Sequence, residues 1–384
     1  MKQLIIITYP VFNFEEHRFS IGGVQTYIQD LLKLGIELHY KAIVCQVSTK
    51  PSNIQYYEYS NYQIEEVVVP KRITSNYYQR AFDIIFKKYN NQETIFIIIS
   101  ENLGIKSKAD NVVAIQHGIA FDIPKQFLRK PWNQNLFLSR LWKITRSILA
   151  AKRFTQTKNT VCVDYNYVNW LRTIDTIPNN HRVQVVLNYS SGIITQEELE
   201  NKLSTLSSKK KIVFARRFTD YRGVLIFTNA IEKLFNTRDD IEVTFAGQGP
   251  LLNYIENKFK GNNNVIITSY SPNDSITFHK QFDIAVVPTI YSEGSSLSLC
   301  EAMSSGCFPI SSLVGGMSNM IINNYNGCLF YPTEDDLIHT LNNVLDMPSD
   351  EFNRIVRNAY NTAGFSFSIE RWKSEWKLFL QRIN

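Results

Sequence analysis

Two carboxylates eight positions apart, Glu293 and Glu301, stand in the stretch YSEGSSLSLCEAMSSG over residues 291–306. Glu293 and Gly294 open a loop. Ser295 or Ser296 is placed to cap a helix running to about Ser305, and Gly306 closes it where a left-handed residue costs little. The spacing puts Glu293 at the helix mouth and Glu301 about two turns inside. The two acids therefore form no stacked surface pair, and each addresses a different part of something lying across the helix end. Free backbone N–H groups at that end, those of Ser296 and Leu297 among them, make a ready anion site.

Other residues could serve the same chemistry. Arg216 and Arg222 flank a loop between a strand at 209–214 and a helix at about 224–235, so both guanidinium groups can reach one anion from two sides. Gly22 and Gly23 sit at a strand-loop-helix entry, where backbone N–H groups can approach a phosphate closely. His117, followed by Gly118, ends the apolar run 112–116. That is where α/β folds put their ligands, although a histidine bonded structurally at a strand end fits the position equally well. Gly247-Gln-Gly249-Pro250 lacks the third glycine of a dinucleotide fingerprint and reads as a turn.

These residues need a scaffold of alternating strands and helices. Apolar β-rich runs at 4–8, 41–46, 63–69, 94–100, 112–116 and 160–163 alternate with helical patterns, as in a doubly wound α/β domain. A run at 183–187 links to a second α/β unit with strands at 209–214, 241–246, 265–268 and 284–288. Near the end, Trp372, Trp376 and Phe379 form one apolar helical stripe, read as core or interdomain packing. The chain has 384 residues, enough for two domains, and its 44% hydrophobic and 20% charged residues are those of a soluble globular protein. The first apolar run is too short for a signal peptide or a membrane span. Five cysteines with no Cys-x-x-Cys pair point to a reduced, cytoplasmic chain. Neither His-x-x-x-His nor Asp-x-Asp occurs, so no metal site is expected.

Net charge is only +6, but it is unevenly spread. Between Asp122 and Asp164 there is no acidic residue, while Lys125, Arg140, Lys143, Arg146 and others alternate with Trp132, Phe137 and Trp142. Residues 125–154 thus suit an anionic membrane surface. The alternative is a solvated basic helix whose aromatics face the core.

Taken together, the chain resembles a family-4 retaining glycosyltransferase of the GT-B fold. The carrying residues are Gly22-Gly23, His117-Gly118, Arg216 with Arg222-Gly223, Gly247-Gln-Gly249-Pro250 and the Glu293-x7-Glu301 motif. They occur in the family's order over residues 22–316. The resemblance implies two Rossmann-like domains facing across a cleft: an acceptor-side domain over 1–187, a nucleotide-sugar domain over 188–366, and a helix at 367–384 crossing back to the first. It further implies that Glu301 takes the ribose hydroxyls and that Glu293 and His117 lie by the transferred sugar. Arg216, Arg222 and the backbone around Gly22, Gly23, Ser295, Ser296 and Leu297 would hold the diphosphate without a metal or other cofactor. The family usually has lysine where Arg222 stands. The expected function is transfer of a hexose or N-acetylhexosamine, from a UDP-sugar by preference, to a growing lipid-linked glycan such as O-antigen or capsule. No nucleic acid partner is expected. A nucleotide-sugar epimerase of the same architecture, or a scaffold that only binds nucleotide sugar, would keep these residues too.

Overall fold

The computed structural model describes residues 2–20, 22–58, 61–71, 76–124 and 135–383. The apolar runs become the strands of two sheets. In the first, β1 (Gln3–Thr8), β2 (Lys41–Ser48), β3 (Tyr56–Glu58), β4 (Tyr62–Val68), β5 (Thr94–Ile98), β6 (Val112–Gln116), β7 (Asn159–Cys162) and β8 (Arg182–Val185) lie in the order β8-β7-β6-β5-β1-β2-β4-β3. All neighbours are parallel except β3, which runs antiparallel to β4 at the edge. In the second, β9 (Lys210–Ala215), β10 (Ile241–Ala246), β11 (Val265–Thr268), β12 (Ile284–Val287), β13 (Phe308–Ser312) and β14 (Cys328–Phe330) form an all-parallel sheet in the order β11-β10-β9-β12-β13-β14. Helices cover both faces of such sheets, which is why central strands such as β1 and β5 read as unbroken Ile-rich runs and not as alternating ones.

Each sheet winds outward from its first strand and then returns to that strand's other side. The reversal falls between β1 and β5 in the first domain and between β9 and β12 in the second. A crevice opens at the carboxyl ends of the strands at such a switch point. Among the helices, α1 (Gly23–Glu37), α2 (Leu136–Phe154), α3 (Val224–Phe235), α4 (Leu297–Ser304), α5 (Ser349–Ser366) and α6 (Ile369–Ile383) matter most here. Besides β14, two short features escape the sequence reading: β3, and a hairpin pairing Phe12–Asn13 with Arg18–Phe19. Both are too brief for a period to register, and the hairpin is held by edge-to-face contacts of Phe12 with Phe14 and Phe19.

The chain passes between domains twice, side by side. Ser190 N–H donates to Phe367 O at 2.7 Å, and Ser190 and Ser368 form a parallel bridge. Beyond that point α6 packs on the first domain. Trp372 and Trp376 are fully buried in its core, and the Trp376 indole donates to the Tyr27 hydroxyl at 2.9 Å. The tryptophan stripe is therefore interdomain packing.

Helix α2 settles part of the choice left open for the basic stretch; residues 125–134 of that stretch lie outside the described residues. Asn135 caps α2 by accepting from the N–H groups of Phe137 and Leu138. Only Ser139, Ala151 and Phe154 are buried. Phe137 is 72% exposed, and Leu141, Ile144 and Ile148 are exposed with it. The expectation that the aromatics face the core holds for Phe154 but not for Phe137. Trp142 lies half-buried with the Arg146 guanidinium 5.5 Å from its ring. Among the described residues, no helix is long and apolar enough to cross a membrane.

Candidate active site

The second domain's switch point brings distant residues together. Arg216 directly follows β9, and Glu293 lies in the loop after β12; these two strands are hydrogen-bonded neighbours. Arg216 Nη2 donates to Glu293 Oε2 at 2.8 Å, and Arg222 Nη1 donates to the same oxygen. Thr289 Oγ1 donates to it at 3.0 Å and accepts in turn from Arg216 Nη1. The Arg216 side chain is 5% exposed and that of Arg222 24%. Burial alone would raise the Glu293 carboxyl. The charges of Arg216 and Arg222, with hydrogen bonds from Arg216 and Thr289, outweigh it and hold the group down at about 2. Two cations thus surround one anion, leaving excess positive charge and unused guanidinium N–H groups at the strand ends.

Arg222 reaches this point because Gly223 follows it. Gly223 has φ 81° and abuts Pro288, where a side chain would strike the Pro288 carbonyl. Helix α3 starts there. Helix α4 starts at Leu297, with Ser296 as N-cap but no side-chain capping bond. Glu301 is its fifth residue, a little over one turn in and not two. Burial lifts the Glu301 carboxyl to about 7, with the Ser275 hydroxyl and the Arg216 charge pulling the other way. Gly306 closes the helix region with φ 66°.

The helix mouth differs from expectation in two side chains. The Ser295 hydroxyl donates to Val163 O at 2.5 Å and accepts from Asn188 N–H at 2.9 Å, so it ties the loop to the first domain and the linker. The Ser296 N–H points at the Met320 sulfur at 3.3 Å, and its hydroxyl is buried with no partner among the described residues. Neither hydroxyl faces an open cleft; Ser295 and Ser296 are 2% and 1% exposed.

The first domain meets this loop directly. Gly22 caps α1, and a Cβ on Gly23 would lie 3.3 Å from Leu297 Cδ1, so the N-termini of α1 and α4 confront each other. Gly118, with φ 102°, lies so close that a Cβ there would be 2.9 Å from Gly294 N. His117 Nε2 lies 2.8 Å from Ile99 O. A carbonyl only accepts, so Nε2 carries the proton and Nδ1 is left as an acceptor. Burial pushes this histidine down to about 4, against that hydrogen bond, which keeps the ring neutral at pH 7.

Three residues join the site that sequence reasoning missed. Thr289 orients Glu293 from the residue just after Pro288. Asp122 Oδ1 accepts from Ser292 N–H at 2.8 Å, across the two domains. Burial raises Asp122 to about 6, opposed by the Ser292 bond and the Lys143 charge. Asp164 caps a short helix through Tyr167 N–H at 3.0 Å, and burial raises it to about 6 as well. Asp122 and Ser292 are 170 residues apart, so only tertiary folding joins them; Thr289 and Asp164 make local contacts, three or four positions along the chain, in loops with no period to announce them. Among the described residues, no three His, Cys, Asp or Glu side chains are grouped to hold a metal ion.

Two Rossmann-like domains facing each other, with a helix that returns to the first, are the GT-B arrangement. The fold is shared over the full length with Anabaena HepE solved in complex with UDP-glucose, at 11% identity, TM-score 0.67 and complete coverage of both chains. Residues 195–362 match the family described as Glycosyl transferases group 1. The protein is a glycosyltransferase. The chain is similar to Protein CapJ of Staphylococcus aureus, 23% identical over 97% of this chain and 95% of that protein. A shorter stretch, 39% of this chain and 43% of the other, is 23% identical to the lipopolysaccharide 1,2-N-acetylglucosaminetransferase of Salmonella typhimurium.

Proposed function

We propose that the protein is a retaining glycosyltransferase of the family-4 type. It moves a hexose or N-acetylhexosamine from a nucleotide-diphosphate sugar, preferably a UDP-sugar, to a growing lipid-linked glycan of a bacterial surface polysaccharide such as O-antigen or capsule. The observation that carries this reading is the buried cluster of Arg216, Arg222 and Glu293 at the carboxyl ends of β9 and β12. HepE, bound to UDP-glucose, and a relative that transfers N-acetylglucosamine in lipopolysaccharide support the donor class and the acceptor pathway.

In the reaction, the bond between the sugar's anomeric carbon and the β-phosphate oxygen breaks, and the nucleotide diphosphate leaves with the electron pair. The acceptor hydroxyl oxygen bonds to that carbon on the same face, and its proton passes to a phosphate oxygen. Negative charge grows on the leaving group, and preorganised donors aimed at it are worth about 2.7–4 kcal/mol each. Arg216 and Arg222 supply those donors with their unused N–H groups, together with the backbone at Gly22, Gly23 and Leu297, so the reaction needs no metal. Glu293, held ionised, accepts from the sugar hydroxyls. Glu301 accepts from the ribose hydroxyls, and neutral His117 accepts a sugar hydroxyl at Nδ1. Helix α2 lies on the anionic cytoplasmic face of the membrane through its exposed apolar and basic residues, beside a lipid-borne acceptor.

The test is transfer from a panel of radiolabelled nucleotide sugars to lipid-linked acceptors. Glu301→Ala should weaken donor binding, and Glu293→Gln and His117→Ala should lower turnover. Unchanged transfer by all three variants sinks the site assignment. Isomerised donor without acceptor would instead favour the epimerase reading.

A further inference from the structure

The loop that carries Glu293 contains a residue in an unusual backbone state. Ser292, immediately before Glu293, has φ 57°, in the left-handed region that non-glycine residues adopt at a cost. Such a residue persists only where its surroundings hold it. The hold comes from the other domain, where Asp122 Oδ1 accepts the Ser292 N–H at 2.8 Å. Asp122 is itself placed firmly. Its neighbour Phe121 packs on Trp170 with ring centroids 4.8 Å apart, and the chain four residues earlier, at Gly118, lies against Gly294. A hydrogen bond to a carboxylate is among the stronger ones available to a backbone N–H.

We propose that Asp122 is a positioning residue for sugar transfer: from the first domain it holds Ser292 left-handed and thereby sets Glu293 beneath the two guanidinium groups. The inference rests on the transfer reading above. It gives the first domain a second task besides receiving the acceptor. When the domains meet, the Asp122 carboxylate completes the donor loop, and when they part, Ser292 is free to relax toward negative φ and take Glu293 with it. Glu293 is then correctly aimed only in the closed enzyme. Among the described residues, the charges that act on the carboxylate are those of Lys143 on α2 and Glu293 itself.

Three variants of the full-length protein test this. Asp122→Ala removes the acceptor, and turnover should fall roughly ten- to hundredfold, as small misplacements of reacting groups do, with the donor KM changing less than threefold. Asp122→Asn keeps a carbonyl oxygen for the Ser292 N–H and should recover most of the loss. Adding Ser292→Gly to Asp122→Ala should also recover turnover, because glycine holds positive φ unaided. A merely structural role would show none of this rescue. Hydrogen exchange supplies a readout independent of catalysis. The Ser292 amide should be protected in the wild type and in Asp122→Asn, and exposed in Asp122→Ala. An unprotected Ser292 amide in the wild type, wild-type turnover in Asp122→Ala, or no gain from Ser292→Gly each overturns the proposal. A wild-type protein that transfers no sugar sinks the functional reading instead, while the exchange experiment still decides the contact.

Discussion

The two domains present their strand ends to one another in opposite electrostatic states. On the second domain, Arg216 and Arg222 converge on an ionised Glu293, held down at about 2. On the first, His117 is neutral, and Asp122 and Glu101 are buried acids pushed up to about 6 and 7. One wall is a built ion cluster around two cations; on the other the imidazole is neutral, while at pH 7 the Asp122 carboxyl is mostly ionised and that of Glu101 about half so. The contrast suits a reaction whose leaving group is an anion and whose attacking group is a neutral hydroxyl. Fixed positive charge belongs where the phosphate departs, and would only compete for the hydroxyl's lone pair if placed on the other wall.

The sharpest way to break this contrast is to remove charge from the second domain. Arg216→Ala should lower kcat/KM at least roughly a hundredfold, as loss of one preorganised donor does. It should also destabilise the fold by of order 3 kcal/mol, because Glu293 loses a buried partner; steady-state kinetics and thermal unfolding measure the two effects. Next in size is the outer face of the first domain. Reversing Arg140, Lys143 and Arg146 to Glu should abolish flotation with anionic liposomes, at roughly 1 kcal/mol for each cation removed. Transfer to a short soluble acceptor should persist. Binding that is equally strong in high and low salt would argue against an electrostatic attachment.

Glu301 gives a pH test within the second domain. Its carboxyl titrates at about 7, and only the ionised form accepts from both vicinal hydroxyls. UDP binding should therefore tighten as pH rises from 6 to 8, by roughly tenfold at most, the worth of a charged hydrogen bond. Glu301→Gln should make that dependence flat, as measured by calorimetry. The smallest effect is expected at His117. Because it gains its proton only near pH 4, it should contribute no limb to the pH–rate profile between 5.5 and 8. His117→Ala should lower turnover roughly fivefold, the value of one neutral hydrogen bond.

The sequence makes the scaffold readable because strands buried on both faces, such as β1 and β5, are unbroken apolar runs, and several of the loops that follow strands carry a glycine, Gly118, Gly223 and Gly247 among them. Ile241–Ala246 and Val265–Thr268 fall where the pattern puts them. The glycine-ended helix at Gly306 is legible for the same local reason. The partners of Glu293 are not legible, since 77 and 71 residues separate it from Arg216 and Arg222 and no local period connects them. The engagement of Ser295 by Val163 and Asn188 is hidden likewise. On α2, a mixture of basic and apolar residues fits either a buried or an exposed face, and only the packing of Ala151 and Phe154 fixes the rotation.

The returning helix α6 has a consequence for the wall that the first domain presents. Trp376 is bonded to the Tyr27 hydroxyl, and the Tyr27 ring meets His117 edge-on with centroids 5.6 Å apart. Helix α6, which follows the whole second domain in sequence, is thus two side chains from the imidazole at the opposite wall. This wall of the first domain therefore takes its final shape only after the second domain has been made, and a molecule lacking α6 would keep the second domain's ion cluster and leave the histidine without its backing.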